Sequence, residues 1–283
     1  MHTYASAYTD LSNSLQATYD AREAASIAHE VLEHLTGATR LQRVTDKEKQ
    51  LTTEQQGEFD RMKELLLKGT PLQYVLGTAW FMGREFVVNE HVLIPRPETE
   101  ELVQWMVEDN KGKQPSVLDI GSGSGCIPVS LKLSLPDAVV SSVDISESAI
   151  GVAMMNAVRL DANISFRQLD FLDKSKWHEL PSYDIIVSNP PYIPETESGS
   201  LHINVRDFEP NLALFVPGND ALLFYRNIAE FGLTHLNEGG AVYCELHVDF
   251  AMQTMELFKT IGYAYAMVKQ DMHGNFRMLK AQK

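Results

Sequence analysis

Ser188-Asn189-Pro190-Pro191-Tyr192 closes the apolar run Tyr183-Asp184-Ile185-Ile186-Val187. The run predicts a short buried strand, so the five residues fall where that strand ends. Neither proline has an N–H to extend a ladder, and Pro190 is restricted further by the ring that follows it. What remains is a stiff turn with carbonyl acceptors, an Asn amide on one side and a Tyr ring on the other. Such a turn suits a planar group bearing N–H donors, a carboxamide or an amino-purine. Taken alone, the motif also reads as a plain strand-ending turn.

A second constellation lies upstream. Val117-Leu118-Asp119-Ile120 predicts a strand, Gly121-Ser122-Gly123-Ser124-Gly125 a turn, and Ile127 to Leu135 a helix. Glycines at that junction let a ligand approach the backbone at a helix N-terminus. The GxGxG spacing differs from the GxGxxG of dinucleotide loops. Val139 to Val143 predicts the next strand, and Asp144 ends it, placed to accept ribose hydroxyls unless it is merely solvated. Asp119 is a candidate to accept from the loop's N–H groups or to meet the cationic end of a ligand. Ile164 to Leu169 predicts a third strand, with Asp170 and Phe171 where a polar group meets an adenine edge and a ring its face. If the first and fourth strands are neighbours, Asn189 and Gly121 share one crevice.

The elements that must position these residues follow from periodicity. Residues from about 10 to 70 predict helices: Ala24, Ile27, Ala28, Val31, Leu32 and Leu35 recur at helical spacing, with Gly37 as a stop. A later helix opens at Thr53 with Gln56 three residues on, a capping-box pattern, and carries Phe59, Met62 and Leu66. His29 and His34 do not share a helix face and read as ordinary residues. Trp80 to Asn89 predicts a hairpin about Gly83, and Leu93-Ile94-Pro95-Arg96-Pro97-Glu98-Thr99-Glu100 a rigid entry into a helix. Arg96 there is equally a structural residue or a wall of a ligand site. Ser146 predicts the cap of the helix after Asp144. Strands at Ala241–Leu246, Tyr263–Val268 and Arg277–Ala281, with helices near 220–235 and 249–260, complete an α/β rhythm with a mainly parallel sheet.

The net charge is −14 over 283 residues, without a run of Lys or Arg, which argues against extensive duplex nucleic-acid binding. Cys126 and Cys244 form no CxxC and lack histidines at ligand spacing, so reduced thiols and no metal are expected. A polar start and the lack of a long apolar stretch lead to the expectation of a soluble, cytoplasmic protein.

Together these motifs resemble the amino-methylating group of class I S-adenosylmethionine-dependent methyltransferases. More closely, the chain resembles the HemK/PrmC family, the protein-(glutamine-N5) methyltransferases of peptide chain release factors. The likeness rests on Gly69-Thr70-Pro71-Leu72-Gln73-Tyr74, Gly77 with Phe81-Met82-Gly83, the Ile-Pro-Arg-Pro-Glu-Thr-Glu stretch and the cofactor loop. Phe208-Glu209-Pro210 with Ala213-Leu214, Asp220-Ala221-Leu222 with Tyr225-Arg226, and Asp271 to Arg277 extend it.

The resemblance implies a class I (Rossmann-like) seven-stranded sheet. It implies a helical substrate-binding domain over 1–75, a β-hairpin connector over 76–95 and a methyltransferase domain over 96–283. It also implies that S-adenosylmethionine is held by Gly121, Ser122, Gly123, Ser124, Gly125, Asp144, Phe171 and Asn189. The substrate glutamine, from a Gly-Gly-Gln loop, would be held by Asn189, Pro190, Pro191 and Tyr192. In that reading the Asn189 side chain and the Pro190 carbonyl accept the amide N–H groups, and Tyr192 packs over the amide plane; Asn189, Pro190 and Tyr192 are the catalytic set. No general base is nominated. The expected partners are release factors, with neither membrane nor nucleic acid, and the expected state is a monomer. Phe171 stands where Trp is common in the family, and Glu245-Leu246-His247 replaces a more common Glu-x-Gly, which leaves the role of His247 open. The competing readings are a nucleic-acid amino-methyltransferase, which would want a basic face, and a nucleotide-binding oxidoreductase or non-catalytic binder, in which the Asn-Pro-Pro-Tyr turn has no task.

Overall fold

A computed structural model describes residues 1–283, the side chain of Ser200 excepted. The chain forms two units, Met1–Thr78 with His202–Phe208, and Ala79–Leu201 with Glu209–Lys283.

The first unit contains α1 (Tyr4–Leu15), α2 (Ala21–Thr36), α3 (Arg40–Thr45), α4 (Thr53–Leu67) and α5 (Leu72–Leu76). The stripe Ala24, Ile27, Ala28, Val31 and Leu32 of α2 is buried with Leu11 and Leu15 of α1 and Phe59, Met62 and Leu66 of α4. Asp20 caps α2 by accepting from the N–H groups of Arg22 and Glu23, and Gly37 ends it in the left-handed region. The capping box of α4 lies one residue earlier than expected. Thr-x-x-Gln occurs twice in Thr52-Thr53-Glu54-Gln55-Gln56, and it is Thr52 and Gln55 that cap reciprocally. Gln56 is engaged elsewhere, accepting from the His2 N–H at 2.7 Å. His29 stacks on Tyr8. Residues 202–208 return to this unit, where Asn204 Nδ2 donates to the Tyr19 hydroxyl at 2.8 Å.

The second unit opens with the hairpin β1 (Thr78–Phe81) and β2 (Arg84–Val87). Met82 and Gly83 both have positive φ, 51° and 71°, the two-residue turn whose twist suits a hairpin. Next come α6 (Pro97–Asn110), β3 (Ser116–Ile120), α7 (Cys126–Ser134), β4 (Val139–Asp144), α8 (Glu147–Arg159), β5 (Ser165–Gln168), β6 (Tyr183–Ser188) and β7 (Ile193–Pro194). After α9 (Ile203–Phe208), which belongs to the first unit, follow α10 (Asn211–Leu214), β8 (Phe215–Val216), α11 (Leu223–His235), β9 (Leu236–Glu245), α12 (Ala251–Ile261), β10 (Tyr265–Gln270) and β11 (Phe276–Gln282). The hairpin is packed into this unit. Asn156 of α8 accepts from the Val87 N–H at 2.7 Å and donates to the Val87 carbonyl at 2.9 Å, and Phe81 and Phe86 are buried in the core.

Seven strands form one sheet in the order β10-β11-β9-β6-β3-β4-β5. The pairs from β9 to β5 are parallel, and β11 is antiparallel to both β9 and β10. Its central strands read as continuous apolar runs because both faces are covered. Leu118, Ile186 and Val242 pack with Tyr225 and Phe231 of α11 and Phe258 of α12. The alternate residues Val117, Ile185 and Tyr243 pack with Leu102 and Met106 of α6 and Val129 of α7. The chain runs outward from β3 through β4 to β5 and returns to β6 on the other side of β3. The crevice outside the strand ends therefore lies between β3 and β6.

Candidate active site

Ile120 and Ser188 are register partners, so the glycine loop and the Asn-Pro-Pro-Tyr turn leave adjacent strands at the same level. The Ser188 hydroxyl donates to the Ile120 carbonyl at 2.7 Å, locking the two ends together. Gly121, at φ 90°, is so close to the turn that a Cβ there would lie 3.9 Å from the Asn189 carbonyl oxygen. Gly125, at φ 80°, packs against α8, where a Cβ would meet Ala153 at 3.1 Å. Around this junction is a cavity of about 330 Å³, lined among others by Ser122, Gly123, Ser124, Asp144, Phe171, Asn189, Pro190 and Pro191.

The cofactor side is organised by backbone amides. Asp144 accepts from the Gly123 N–H at 3.0 Å and from the Ser146 N–H at 2.8 Å, which fixes its carboxylate at the end of β4. Burial pushes the carboxyl above the ordinary aspartate value, opposed by those amides. Below the loop the chain Ser122–Ser142–Asp119 is joined at 2.6 Å at each step. Asp119 is fully buried, and its Oδ1 has no hydrogen-bond partner among the described residues. Burial pushes its carboxyl up to about 8, opposed by the Ser142 hydroxyl and reinforced by the charge of Asp144. Its bonding partner is thus a serine hydroxyl rather than the loop's N–H groups. Phe171 borders the cavity while stacked on Trp177 and edge-on to Phe231, which holds its ring in one orientation. Cys126 also borders the cavity, but burial pushes its thiol up to about 12, so it is no nucleophile.

The turn side is organised by side chains from distant parts of the chain. Asn189 Nδ2 donates to the Thr99 hydroxyl oxygen at 3.1 Å, and the Thr99 hydroxyl donates to Glu245 Oε2. The Tyr192 hydroxyl donates to Glu245 Oε1 at 3.2 Å, and its ring meets His247 edge-on. The Tyr192 hydroxyl is thus tied to Glu245, while Asn189, Pro190 and Pro191 line the cavity. His247 accepts from the Asp249 N–H and caps the short turn before α12. Arg96 pairs with the buried Glu209, which also accepts from the Ile94 N–H at 3.2 Å. Arg96 both borders the cavity and holds its wall.

Thr99, Glu209 and Glu245 were not singled out as site residues by sequence reasoning. Glu245 carried a usable signal, a carboxylate ending a strand next to the one that carries Asn189. Thr99 and Glu209 lie in stretches quoted for the family resemblance, but nothing local marks either as a partner of the turn or the loop.

Two family models match the chain, "PrmC N-terminal domain" over residues 6–77 and "Methyltransferase small domain" over residues 97–204. A release factor glutamine methyltransferase of Flavobacterium psychrophilum is 38% identical over 276 residues, 96% of either chain. That of Bacteroides thetaiotaomicron is 41% identical over 270 residues, 95% of this chain and 96% of the relative. Among solved structures, the hMettl16 catalytic domain is 17% identical with a TM-score of 0.55, covering 82% of each chain. A methyltransferase from Pyrococcus furiosus is 14% identical with a TM-score of 0.50, covering 82% of this chain and 99% of that one. The sheet and its order are those of the class I methyltransferase fold, as the sequence resemblance implied. Within that class, the chain belongs to the family of release factor glutamine methyltransferases.

Proposed function

We propose that this protein transfers a methyl group from S-adenosylmethionine to the side-chain amide nitrogen, N5, of the glutamine in the Gly-Gly-Gln loop of peptide chain release factors. The observation that carries this reading is the meeting of the glycine loop and Asn189 across the β3–β6 junction, in a chain of this family. The donor set suits the cofactor. Asp144 offers a carboxylate for ribose hydroxyls, Phe171 an apolar face for adenine, and Gly121 to Gly125 a backbone without obstructing side chains. When bound, S-adenosylmethionine supplies an electrophilic methyl group on its sulfonium sulfur.

The chain's own task is orientation. A carboxamide nitrogen is a poor nucleophile because its lone pair is delocalised into the carbonyl, so its placement is most of the catalysis. The Asn189 side-chain oxygen and the Pro190 carbonyl accept the two substrate N–H groups. Both acceptors favour the positive charge that develops on nitrogen, which is a transition-state effect. An N-alkylated amide cation loses its proton readily to water, and no residue is assigned as base. Tyr192 packs its ring over the amide plane, with its hydroxyl tied to Glu245. Residues 1–75 grip the release factor away from the reacting loop, and the protein works as a monomer in the cytoplasm. Among the described residues no helix is long and apolar enough to cross a membrane.

The test is incubation of the purified protein with labelled S-adenosylmethionine and a release factor, followed by mass spectrometry of the Gly-Gly-Gln peptide. One added methyl on that glutamine is the expected result. Methyl transfer to a nucleic acid and not to the glutamine would overturn the reading.

A further inference from the structure

Glu245 and Thr99 form a linked pair behind Asn189. Both carboxylate oxygens of Glu245 are acceptors, Oε2 for the Thr99 hydroxyl and Oε1 for the Tyr192 hydroxyl at 3.2 Å. An ionised carboxylate has no proton to donate, so each hydroxyl must point its own proton at Glu245. Thr99 has one proton, and with that proton spent on Glu245 its oxygen is left only to accept. The partner it accepts from is Asn189 Nδ2, at 3.1 Å. The amide's NH₂ end is thereby held at the back of the site, and Oδ1 is the end left for the cavity.

We propose that Glu245 is a positioning residue which, through Thr99, sets the Asn189 amide with its oxygen toward the substrate. This deepens the glutamine-methylation reading and rests on it. With Glu245 protonated on Oε2, the carboxyl donates to Thr99, and the Thr99 proton turns to Asn189. The amide then satisfies Thr99 with Oδ1 and presents NH₂ to the incoming substrate amide, donor against donor. The wrong polarity at one site of this kind is costly because buried polar groups are left unpaired.

The surroundings make the switch titratable. Burial pushes the Glu245 carboxyl above the ordinary glutamate value, with the Thr99 and Tyr192 hydroxyls and the Arg277 charge opposing and the Glu98 charge reinforcing. Those groups come from α6, β11 and the turn after β6. From α11, the Tyr225 hydroxyl donates to the Glu245 backbone carbonyl, and His247 lies beside the Tyr192 ring. A raised value means that the productive, ionised form is lost as pH falls through a point above the usual carboxylate range.

The experiment measures kcat and KM for a release factor, at saturating labelled S-adenosylmethionine and from about pH 5 to pH 8, for four proteins. They are the parent, Glu245→Gln, Thr99→Val and Thr99→Ser. The parent is expected to lose kcat on the acid side with a single ionisation, and Glu245→Gln to lack that limb while running slower throughout. Thr99→Val is expected to lower kcat on the order of tenfold with less change in KM, and Thr99→Ser, which keeps the hydroxyl, to recover most of the loss. An acid limb unchanged in Glu245→Gln would overturn the proposal, and so would equal losses in Thr99→Val and Thr99→Ser. If Glu245→Gln does not fold, the Val and Ser pair at Thr99 still decides. A parent that binds the cofactor but methylates no glutamine overturns the functional reading and this inference with it; a working parent with indifferent variants overturns this inference alone.

Discussion

The two banks of the cavity are built by opposite means. On the glycine-loop bank, the loop and the Asp144 carboxylate are held by contacts that span about twenty residues, as from Gly123 to Asp144, and only the ring of Phe171 is braced from farther off, by Phe231. On the Asn189 bank, every holding contact is long-range: Asn189 reaches Thr99, Thr99 reaches Glu245, and Tyr192 reaches Glu245. The first bank depends on conformation that a short stretch dictates. The second depends on three segments arriving together, the first turn of α6, the turn after β6 and the end of β9.

Substitutions can break or sharpen that contrast. The largest effect is expected from Asn189→Ala, with kcat reduced on the order of a hundredfold, about 3 kcal/mol in the barrier, and little change in melting temperature. Stopped assays on the release factor beside thermal melts would check this; a parental rate would make the turn merely structural. Next is Asp144→Ala, expected to weaken S-adenosylmethionine and its demethylated product alike by about 2 kcal/mol, roughly thirtyfold, in calorimetry. Its kcat at saturating cofactor should fall far less than that of Asn189→Ala.

The third concerns Asp119. Its folded value of about 8 lies far above that of an unfolded aspartate, so between those values the native state holds a proton that the unfolded state has lost. Stability without cofactor should therefore fall as pH rises through that window, by about 1.4 kcal/mol per pH unit from this group. Asp119→Asn should remove that slope, so its advantage over the parent in chemical denaturation grows from pH 5 to pH 8. An advantage that shrinks with pH would mean the carboxyl is ionised in the folded protein. The smallest effect is expected from Gly123→Ala. The backbone there is at φ 50° with no atom within 4 Å of the added carbon, so only conformational cost applies, about 1 kcal/mol in denaturant melts.

The same contrast explains what the sequence could reveal. Gly121 to Gly125, Asp144 and the strand before Asn189 were legible because each is a local pattern with a physical task. So was the α/β rhythm, since buried strands and amphipathic helices write their period into neighbouring residues. The cap of α4 was misplaced by one residue because Thr52 and Thr53 offer the same motif, and the choice turns on His2 taking Gln56. The tie of the Tyr192 hydroxyl to Glu245, 53 positions away, was not legible, because no local window contains that partner. The return of residues 202–208 to the helical unit was illegible for the same reason.

The register of Ile120 with Ser188 has a consequence for the tempo of the enzyme. Neighbouring strands in mid-sheet stand about 4.8 Å apart, and here both are covered on each face. Amides in such places are among the slowest in a protein to exchange with solvent. The gap between the two banks is thus set by two paired strands buried on both faces. The spacing that a substrate meets at this junction is therefore written into the pairing of the sheet before any ligand arrives.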